Sequence, residues 1–128
     1  QSHYCKPPII LGHEYVGTLV KISKKNGDFK NGDRVAVIHA VNCGYCSYCQ
    51  RGLFELCENK QRASNGGFAE YVSINEKFAK IALLKIPDKL SINEATFLEP
   101  IACCIESIEK CNIGLGDIIV IIGIHYIS

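Results

Sequence analysis

The chain has 128 residues, a formal net charge of +1 and 48% hydrophobic residues, with eight cysteines and no methionine. This length allows one domain with a buried core. Because the charge is near zero and the basic residues are scattered, the sequence predicts neither a nucleic-acid-binding surface nor a polybasic membrane patch. The longest apolar runs, such as 118–124, are too short to cross a bilayer, so we expect no membrane partner.

Short strands separated by turns are predicted for most of the chain before residue 90. Four segments have the β-branched or alternating composition of strands: 14–22, 33–38, 68–74 and 81–86. Asn-Gly-Asp turn signals precede the second segment, Gly66-Gly67 precedes the third, and Pro87 ends the fourth. Short strands separated by such turn residues favour a small barrel or sandwich, and the predicted fold class is mainly β with helices.

The cysteines at 43–57 (CGYCSYCQRGLFELC) are the strongest local signal. Two-residue gaps separate the first three of the four thiols, which are Cys43, Cys46, Cys49 and Cys57. Thiolates at this spacing converge on one tetrahedral metal ion, and four of them leave no open position. The lobe at about 43–60 has too few aliphatic residues for its own core, so we expect a structural zinc to organise it.

Two alternatives to zinc remain at this cysteine cluster. The spacing of the first three cysteines is also typical of ferredoxin iron–sulfur sites. Here, however, seven residues separate the third cysteine from the fourth, where the ferredoxin pattern has three, and no proline follows the fourth. Disulfides are the other alternative, but a domain of this size with an ordinary aliphatic core does not need them. The sequence therefore favours metal thiolates in a reducing, cytoplasmic compartment.

The pattern changes to helix after residue 90. Ser91-Ile92-Asn93-Glu94 predicts a capping box, and Pro100 is suited to begin a second helix. An apolar stripe follows at helical spacing, and we expect the helical cysteines to be small core residues: Cys103, Cys104 and Cys111. Residues 118–123 are typical of a buried strand. With no methionine and an unpaired strand pattern at its end, the chain is expected to be part of a longer protein.

Several motifs form an ordered set along the chain. They are GHEYVGTLV at 12–20, GDRV at 32–35, the four cysteines, GFAEY at 67–71, LEP at 98–100 and GD at 116–117. In this order they resemble the zinc-dependent medium-chain alcohol dehydrogenase superfamily over nearly the whole chain. Glu99-Pro100 resembles the branch of sorbitol, other polyol and threonine dehydrogenases, because classical alcohol dehydrogenases carry cysteine where Glu99 stands.

The resemblance implies a domain organisation and a catalytic site. Residues 1–112 would form a GroES-like, partly closed β-barrel catalytic domain, and 113–128 would begin a Rossmann dinucleotide-binding domain. His13 would ligate a catalytic zinc, Glu14 would lie against the metal or bind it, and Glu99 would bind directly or through water. Such a zinc keeps an open position where a substrate alcohol becomes an alkoxide, and hydride then passes to NAD or NADP.

The chain departs from the family pattern at both ends. The family's first ligand cysteine lies well before the Gly-His-Glu motif, and Cys5 is too near His13 to be expected in its place. His3 is expected to be exposed and His39 to be structural. Gly123 fills the first cofactor-binding position of the Gly-x-Gly-x-x-Gly motif, but histidine and serine fill the next two, so this chain alone should not bind a dinucleotide.

The sequence thus predicts the catalytic-domain portion of a zinc-dependent NAD(P) alcohol or polyol dehydrogenase, which oxidises a small secondary alcohol to a ketone. The isolated chain is expected to be inactive, and kinship implies a homo-oligomer, either a dimer or a tetramer. Two other classes stay open. One is a non-catalytic zinc-binding module that holds a single zinc, and the other is an iron–sulfur electron-transfer protein.

Overall fold

The computed structural model describes residues 8–22 and 28–123, in which the strands and all but the last helix are short. The strands are β1 (Val16–Thr18), β2 (Arg34–Val37), β3 (Ala40–Val41), β4 (Gln61–Arg62) and β5 (Leu83–Lys85). The α-helices are α1 (Ser47–Gln50), α2 (Ala79–Ala82), α3 (Ile92–Ala95) and α4 (Leu98–Cys111). Two 3₁₀ turns, Phe54–Leu56 and Glu76–Phe78, complete the regular structure of these ranges.

The described strands form two small antiparallel sheets and no closed barrel. The first sheet has the order β1-β2-β5, and its register pairs Val16 with Ala36 and Val37 with Leu83. The second sheet pairs β3 with β4. The central position of β2 explains why it is the most buried of these strands.

The core is built on both faces of β2. Because successive side chains of a strand point to opposite faces, Val35 and Val37 lie on one side and Ala36 on the other. The two valines pack with Ala79 and Leu83, which joins α2 to the sheet. Ala36 packs against Ile86 and α3 on the opposite side. The sheet therefore has helix on each face.

A smaller cluster connects the second sheet to this core. Val41 of β3 packs with Ala63 and Ala82, and the Ala82 carbonyl accepts the N–H of Ile38 at 2.8 Å. The segment that carries the cysteine lobe is thereby fixed to α2.

The predictions for the two C-terminal helices are confirmed. The Ser91 hydroxyl accepts the Glu94 N–H at 3.2 Å, and a Glu94 carboxylate oxygen accepts the Ser91 N–H at 2.9 Å, which is a complete capping box. Pro100 is the third residue of α4, where a backbone N–H has no intrahelical acceptor. The helix ends at Asn112, whose φ of 51° is left-handed.

The predicted strand at 68–74 is wrong. These residues form bends, and only an isolated bridge between Ser64 and Ile74 resembles strand pairing. The backbone N–H groups of Gly67 and Phe68 instead donate to the carbonyls of Gly12 and Leu11, at 2.8 and 2.9 Å. Since the segment is held against a loop, no sheet ladder forms there. The other three predicted strands exist but are shorter than their sequence patterns.

The structure agrees that the strand pattern at 118–123 has no partner among the described residues, but the prediction that the cysteines of α4 are core residues is wrong. Residues 118–123 are exposed and form no strand, because no described strand lies beside them. Cys103 and Cys111 are exposed and Cys104 is half-buried. An apolar helix face is buried only where another element covers it, and none of the described core clusters includes a residue of α4.

Candidate metal centres

The cysteine lobe folds around its own sulfur atoms. The side chain of Cys46 caps α1 by accepting the N–H of Cys49 at 3.5 Å, and the 3₁₀ turn Phe54–Leu56 leads directly to Cys57. The N–H groups of Cys43 and Cys46 also donate to sulfur, to Cys57 Sγ and Cys43 Sγ, each at 3.4 Å. Donors that point at sulfur favour the thiolate form, which is the form that binds metal.

The sulfur positions fit a closed zinc site. The four Sγ atoms lie within 4.8 Å of one another. A tetrahedral zinc with normal Zn–S bonds holds its sulfurs about 3.8 Å apart, and Cys43 Sγ lies 3.9 Å from Cys49 Sγ. Cys46, Cys49 and Cys57 are buried and form a core cluster of their own. The donor set has no room for substrate, which is typical of a structural site.

The thiols differ in how readily they lose a proton. Backbone N–H groups of Cys49 and Glu58 lower the pKa of Cys46 to about 6. Burial raises the pKa of Cys49 to about 12, whereas the Cys43 N–H lowers the pKa of Cys57. These N–H groups favour the thiolate form of Cys46, which is the form in which it would bind a metal.

A second cluster joins residues that are far apart in sequence. His13 and Glu14 lie in the loop before β1, and Glu99 is the second residue of α4. His13 Nε2 lies 3.9 Å from Glu14 Oε1 and 4.0 Å from Glu99 Oε1. A tetrahedral zinc bound through nitrogen and oxygen sets such donors about 3.4 Å apart. The observed donors are slightly wider than this spacing, so a small inward movement would complete three ligand bonds.

This second cluster is open where the cysteine lobe is closed. The side chain of His13 is 58% exposed and that of Glu99 is 40% exposed. Three donors leave a fourth tetrahedral position, and the exposed side of the cluster gives a small molecule access to it. The structure thus brings together all three residues that the sequence predicted for the catalytic site.

A glycine loop that faces the His13 segment was missed from the sequence. Gly66 has a φ of +123°, and a Cβ there would collide with the Ile10 carbonyl. A Cβ on Gly67 would collide with the Tyr15 ring. From the sequence alone, the consecutive glycines predict only a turn before a strand. They indicate close approach of two backbones, which is the other common reason for glycine at such positions.

His39 lies beside the second cluster, with its ring centroid 6.3 Å from that of His13. Arg62 Nε donates to His39 Nε2 at 3.3 Å, so the neutral ring carries its proton on Nδ1, which lies 3.2 Å from Ser64 Oγ. The Tyr15 hydroxyl donates to the same Ser64 oxygen. Burial lowers the pKa of His39, and electrostatic interactions with Arg62 and His13 lower it further. Sequence reasoning treated His39 as structural and did not find these contacts.

The remaining predicted positions lie at the ends of the chain. His3 and Cys5 are outside the described residues, as are residues 124–128 of the predicted glycine motif. Gly123 is exposed, with a φ of +124°. Within the described ranges, the search for a helix long and apolar enough to cross a membrane found none.

Comparisons with known proteins agree with this geometry. Residues 1–88 match the family model of the alcohol dehydrogenase GroES-like domain. Sorbitol dehydrogenase from Bacillus subtilis (strain 168) is 33% identical over 126 residues, which cover 95% of this chain and 35% of the relative. D-arabitol-phosphate dehydrogenase from Enterococcus avium is 34% identical over 121 residues, which cover 91% of this chain and 33% of that relative. The chain therefore spans about a third of the length of these curated relatives.

Solved structures show the same relationship. A candidate zinc-binding dehydrogenase from Sinorhizobium meliloti 1021, bound to NADP, has a TM-score of 0.71 and 34% identity. The match covers 82% of this chain and 30% of the length of that dehydrogenase. Galactitol-1-phosphate dehydrogenase from Escherichia coli has a TM-score of 0.68 and 26% identity, and the match covers 84% of this chain and 31% of that protein. The predicted GroES-like fold class is confirmed. The chain belongs to the zinc-dependent medium-chain alcohol dehydrogenase superfamily.

Proposed function

We propose that the protein containing this chain oxidises a secondary alcohol of a polyol to the ketone, with NAD or NADP as the hydride acceptor. Support comes from relatives named sorbitol dehydrogenase, D-arabitol-phosphate dehydrogenase and D-xylulose reductase A. The NADP-bound structural neighbour supports the type of cofactor. Since the chain covers about a third of such relatives, the activity of the whole protein rests on this kinship together with the site geometry.

The observation that carries the proposal is the convergence of His13, Glu14 and Glu99 on one open position. We assign His13 Nε2 as a neutral nitrogen ligand, and the two carboxylates as oxygen donors that bind directly or through water. A zinc ion held there supplies Lewis-acid polarisation of the substrate hydroxyl. The two carboxylates balance the charge of the ion, which favours a neutral site for an uncharged alcohol.

Other residues of the chain hold this donor set in place. The N–H groups of Gly67 and Phe68 fix the backbone before His13 through hydrogen bonds to the carbonyls of Gly12 and Leu11. The α3 capping box and the turn into α4 fix Glu99 relative to the sheet. We assign the four-cysteine lobe a scaffold role, with a structural zinc and no part in the chemistry.

The wider assembly follows from the same kinship. We assign residues 1–112 to the catalytic domain and 113–128 to the start of a Rossmann domain, with Gly123 in its pyrophosphate turn. A homo-oligomer, either a dimer or a tetramer, is the expected assembly. A reducing cytoplasm is the expected compartment, because it keeps the four thiols available to zinc. The isolated chain is expected to be inactive, because its described residues form no dinucleotide-binding sheet.

The proposal is tested by NAD(P)⁺ reduction with sorbitol in the natural protein that contains this chain. His13→Asn and Glu99→Gln should each lower kcat/KM at least about 100-fold, since even groups around a metal's ligands typically contribute 10- to 100-fold. Glu109→Gln, which removes another exposed carboxylate from α4, should have no effect. Full activity of His13→Asn would contradict the proposal, and turnover by the isolated 128-residue chain would contradict the expected inactivity of that chain.

A second candidate function is a zinc-binding module without catalysis. The closed geometry of the cysteine lobe favours it, because this cluster needs nothing from the rest of the chain to hold a metal. The module would hold one zinc, which Cys49→Ser would remove, and His13→Asn would leave the zinc content unchanged. Zinc analysis of these two variants separates the two functions.

A further inference from the structure

The Arg34 side chain joins the first sheet to the turn that precedes α3. Arg34 is the first residue of β2, and it is half-buried. Its Nη1 donates to the Leu90 carbonyl at 3.0 Å and its Nη2 to the Pro87 carbonyl at 2.9 Å. The Leu90 N–H donates to the same Pro87 carbonyl, which closes a turn. The planar guanidinium therefore holds both ends of this turn at once.

The backbone of Arg34 is fixed to the segments on both sides of β2. It pairs with Thr18 of β1 in antiparallel register, and its carbonyl accepts the Ile86 N–H at 2.9 Å. A single residue separates the ligand pair His13-Glu14 from the start of β1. Arg34 thus contacts the strand that follows two of the proposed metal ligands and, through its side chain, the turn that leads to the third.

A series of backbone hydrogen bonds connects this turn to Glu99. Leu90 directly precedes Ser91, the N-cap of α3. From there the N–H groups of residues 95, 96 and 97 donate to the carbonyls of residues 91, 92 and 94, and the Ile101 N–H donates to the Phe97 carbonyl. Because these bonds include both α3 and the first turn of α4, a displacement of Leu90 is transmitted to Glu99.

Apolar packing alone does not fix this segment in one position. Ala95 of α3 packs against Ala36, and Val16 and Leu90 pack against the same cluster. Such contacts hold α3 near the sheet, but they are non-directional, so they permit small sliding movements. Hydrogen bonds from a guanidinium depend on both distance and angle, so they restrict these movements. The two bonds of Arg34 therefore set where α3 lies along the sheet.

We propose that Arg34 is a positioning residue of the His13 cluster, where it sets the separation between His13 and Glu99. This inference rests on the proposed dehydrogenase function, because that function requires the cluster to hold zinc. His13 Nε2 and Glu99 Oε1 are 4.0 Å apart, close to the spacing of about 3.4 Å in a tetrahedral site. Metal–ligand bonds tolerate only about 0.2 Å of error, so a shift of about 1 Å in α4 would remove the Glu99 contact.

The test is Co²⁺ binding to the natural protein that contains this chain, after a chelator has removed metal from the exposed second site and left the lobe zinc. Arg34→Gln should weaken Co²⁺ binding there at least about tenfold, since residues around metal ligands typically contribute 10- to 100-fold. Loss of a positive charge would by itself strengthen the binding of a cation, so this direction identifies the lost hydrogen bonds as the cause. His13→Asn should abolish binding at the same site.

Lys85→Gln is the matched control. It removes the same charge from β5, the neighbour of β2, where the Lys85 ammonium lies 3.0 Å from the Asp33 carboxylate. It should leave the Co²⁺ affinity unchanged. A general loss of stability would lower the melting temperature of either variant without altering the cobalt spectrum, whereas loss of the Glu99 contact changes that spectrum in Arg34→Gln alone. Wild-type affinity and spectrum in Arg34→Gln would overturn the inference, and so would equal weakening in Lys85→Gln.

A second readout covers the case in which Arg34→Gln does not fold. Because linkage is reciprocal, Co²⁺ binding in the wild-type protein should slow hydrogen exchange in residues 87–92, while exchange in the cysteine lobe stays the same. Unchanged exchange in 87–92 at saturating Co²⁺ would contradict the inference. If His13→Asn loses Co²⁺ binding and sorbitol oxidation while Arg34→Gln keeps both, the inference fails and the dehydrogenase proposal stands. If the second site of the wild-type protein takes up no Co²⁺, both fail.

Discussion

The cysteine lobe and the His13 cluster are both groups of metal-ligand atoms within 4.8 Å, but they are built in different ways. The lobe takes all its ligands from residues 43–57, buries three of the four and orients them with its own N–H groups. The His13 cluster joins a loop before β1 to the first turn of α4 and remains exposed. A local, closed site is suited to structure, whereas a long-range, open one is suited to chemistry.

This difference predicts opposite responses to mutation. In the lobe, metal binding and folding are one process, because the segment has no core other than its sulfurs and the side chains around them. Around the His13 cluster, the sheet and helices have apolar cores that contain none of its three ligands, so we expect that a ligand can be lost without loss of the fold. The following variants test this contrast in order of decreasing effect on stability.

Cys49→Ser should have the largest effect. It removes a buried ligand, so the lobe zinc should be lost and the free energy of unfolding should fall by several kcal/mol. Zinc analysis and thermal unfolding measure both effects. Cys111→Ser, an exposed cysteine of α4, is the control and should change neither. A Cys49→Ser protein that keeps its lobe zinc and its melting temperature would show that the lobe does not depend on metal.

Gly66→Ala should destabilise the protein by about 3 kcal/mol, because a Cβ there collides with the Ile10 backbone and the positive φ adds strain. It should also weaken the second zinc site, since the displaced segment leads to His13. Gly32→Ala is the matched control, with a φ of +90° and open space around its Cβ position outside the cysteine lobe, so only the strain of about 1 kcal/mol remains. Equal losses in the two variants would contradict the role given to backbone contact.

Ser91→Ala should cost about 1 kcal/mol at neutral pH, because it removes the N-cap of α3. The Ser91 hydroxyl and N–H lower the pKa of Glu94. This carboxylate contribution is complete above the ordinary carboxyl pKa and is lost as the pH falls through the lowered one, so the wild-type advantage should shrink in acid to the share of the N-cap bond from the Glu94 N–H. Urea unfolding across this pH range measures it. Ser107→Ala, at an exposed position inside α4, should be neutral at every pH.

His13→Asn should have the smallest effect on stability, within about 0.5 kcal/mol, because the side chain is exposed. Its effect on metal should be selective: the lobe keeps its zinc and the second site loses its zinc. Cobalt substitution followed by absorption spectroscopy distinguishes tetrathiolate from nitrogen and oxygen ligation. If the sulfur-to-cobalt bands disappear in His13→Asn, the two sites are not independent.

The sequence was most informative where structure is local. The cysteine spacing, the Ser91 capping box and the position of Pro100 depend on residues within a few positions of one another, and the structure contains each of them. The ordered motifs also predicted which residues would meet at the second cluster, although their role in binding metal remains a prediction. In these cases the short-range pattern is itself the structural constraint.

The features that sequence reasoning missed depend on contacts between distant segments. Residues 68–74 have the composition of a strand, but the Phe68 N–H donates to Leu11 in the loop before His13, and only Ile74 forms an isolated bridge. The contacts of His39 with Arg62 and Ser64 join three residues whose types carry no local signal. The apolar stripe of α4 indicates a face that can be buried, but periodicity does not indicate whether a covering element is present.

The central claim is that the chain carries two independent zinc sites, one for structure and one for chemistry. Its most direct test is the zinc content per chain of the purified protein, measured by mass spectrometry under non-denaturing conditions for wild type, Cys49→Ser and His13→Asn. Two zinc ions are expected in wild type and one in each variant. A single zinc in wild type that is lost in Cys49→Ser and kept in His13→Asn would contradict the account.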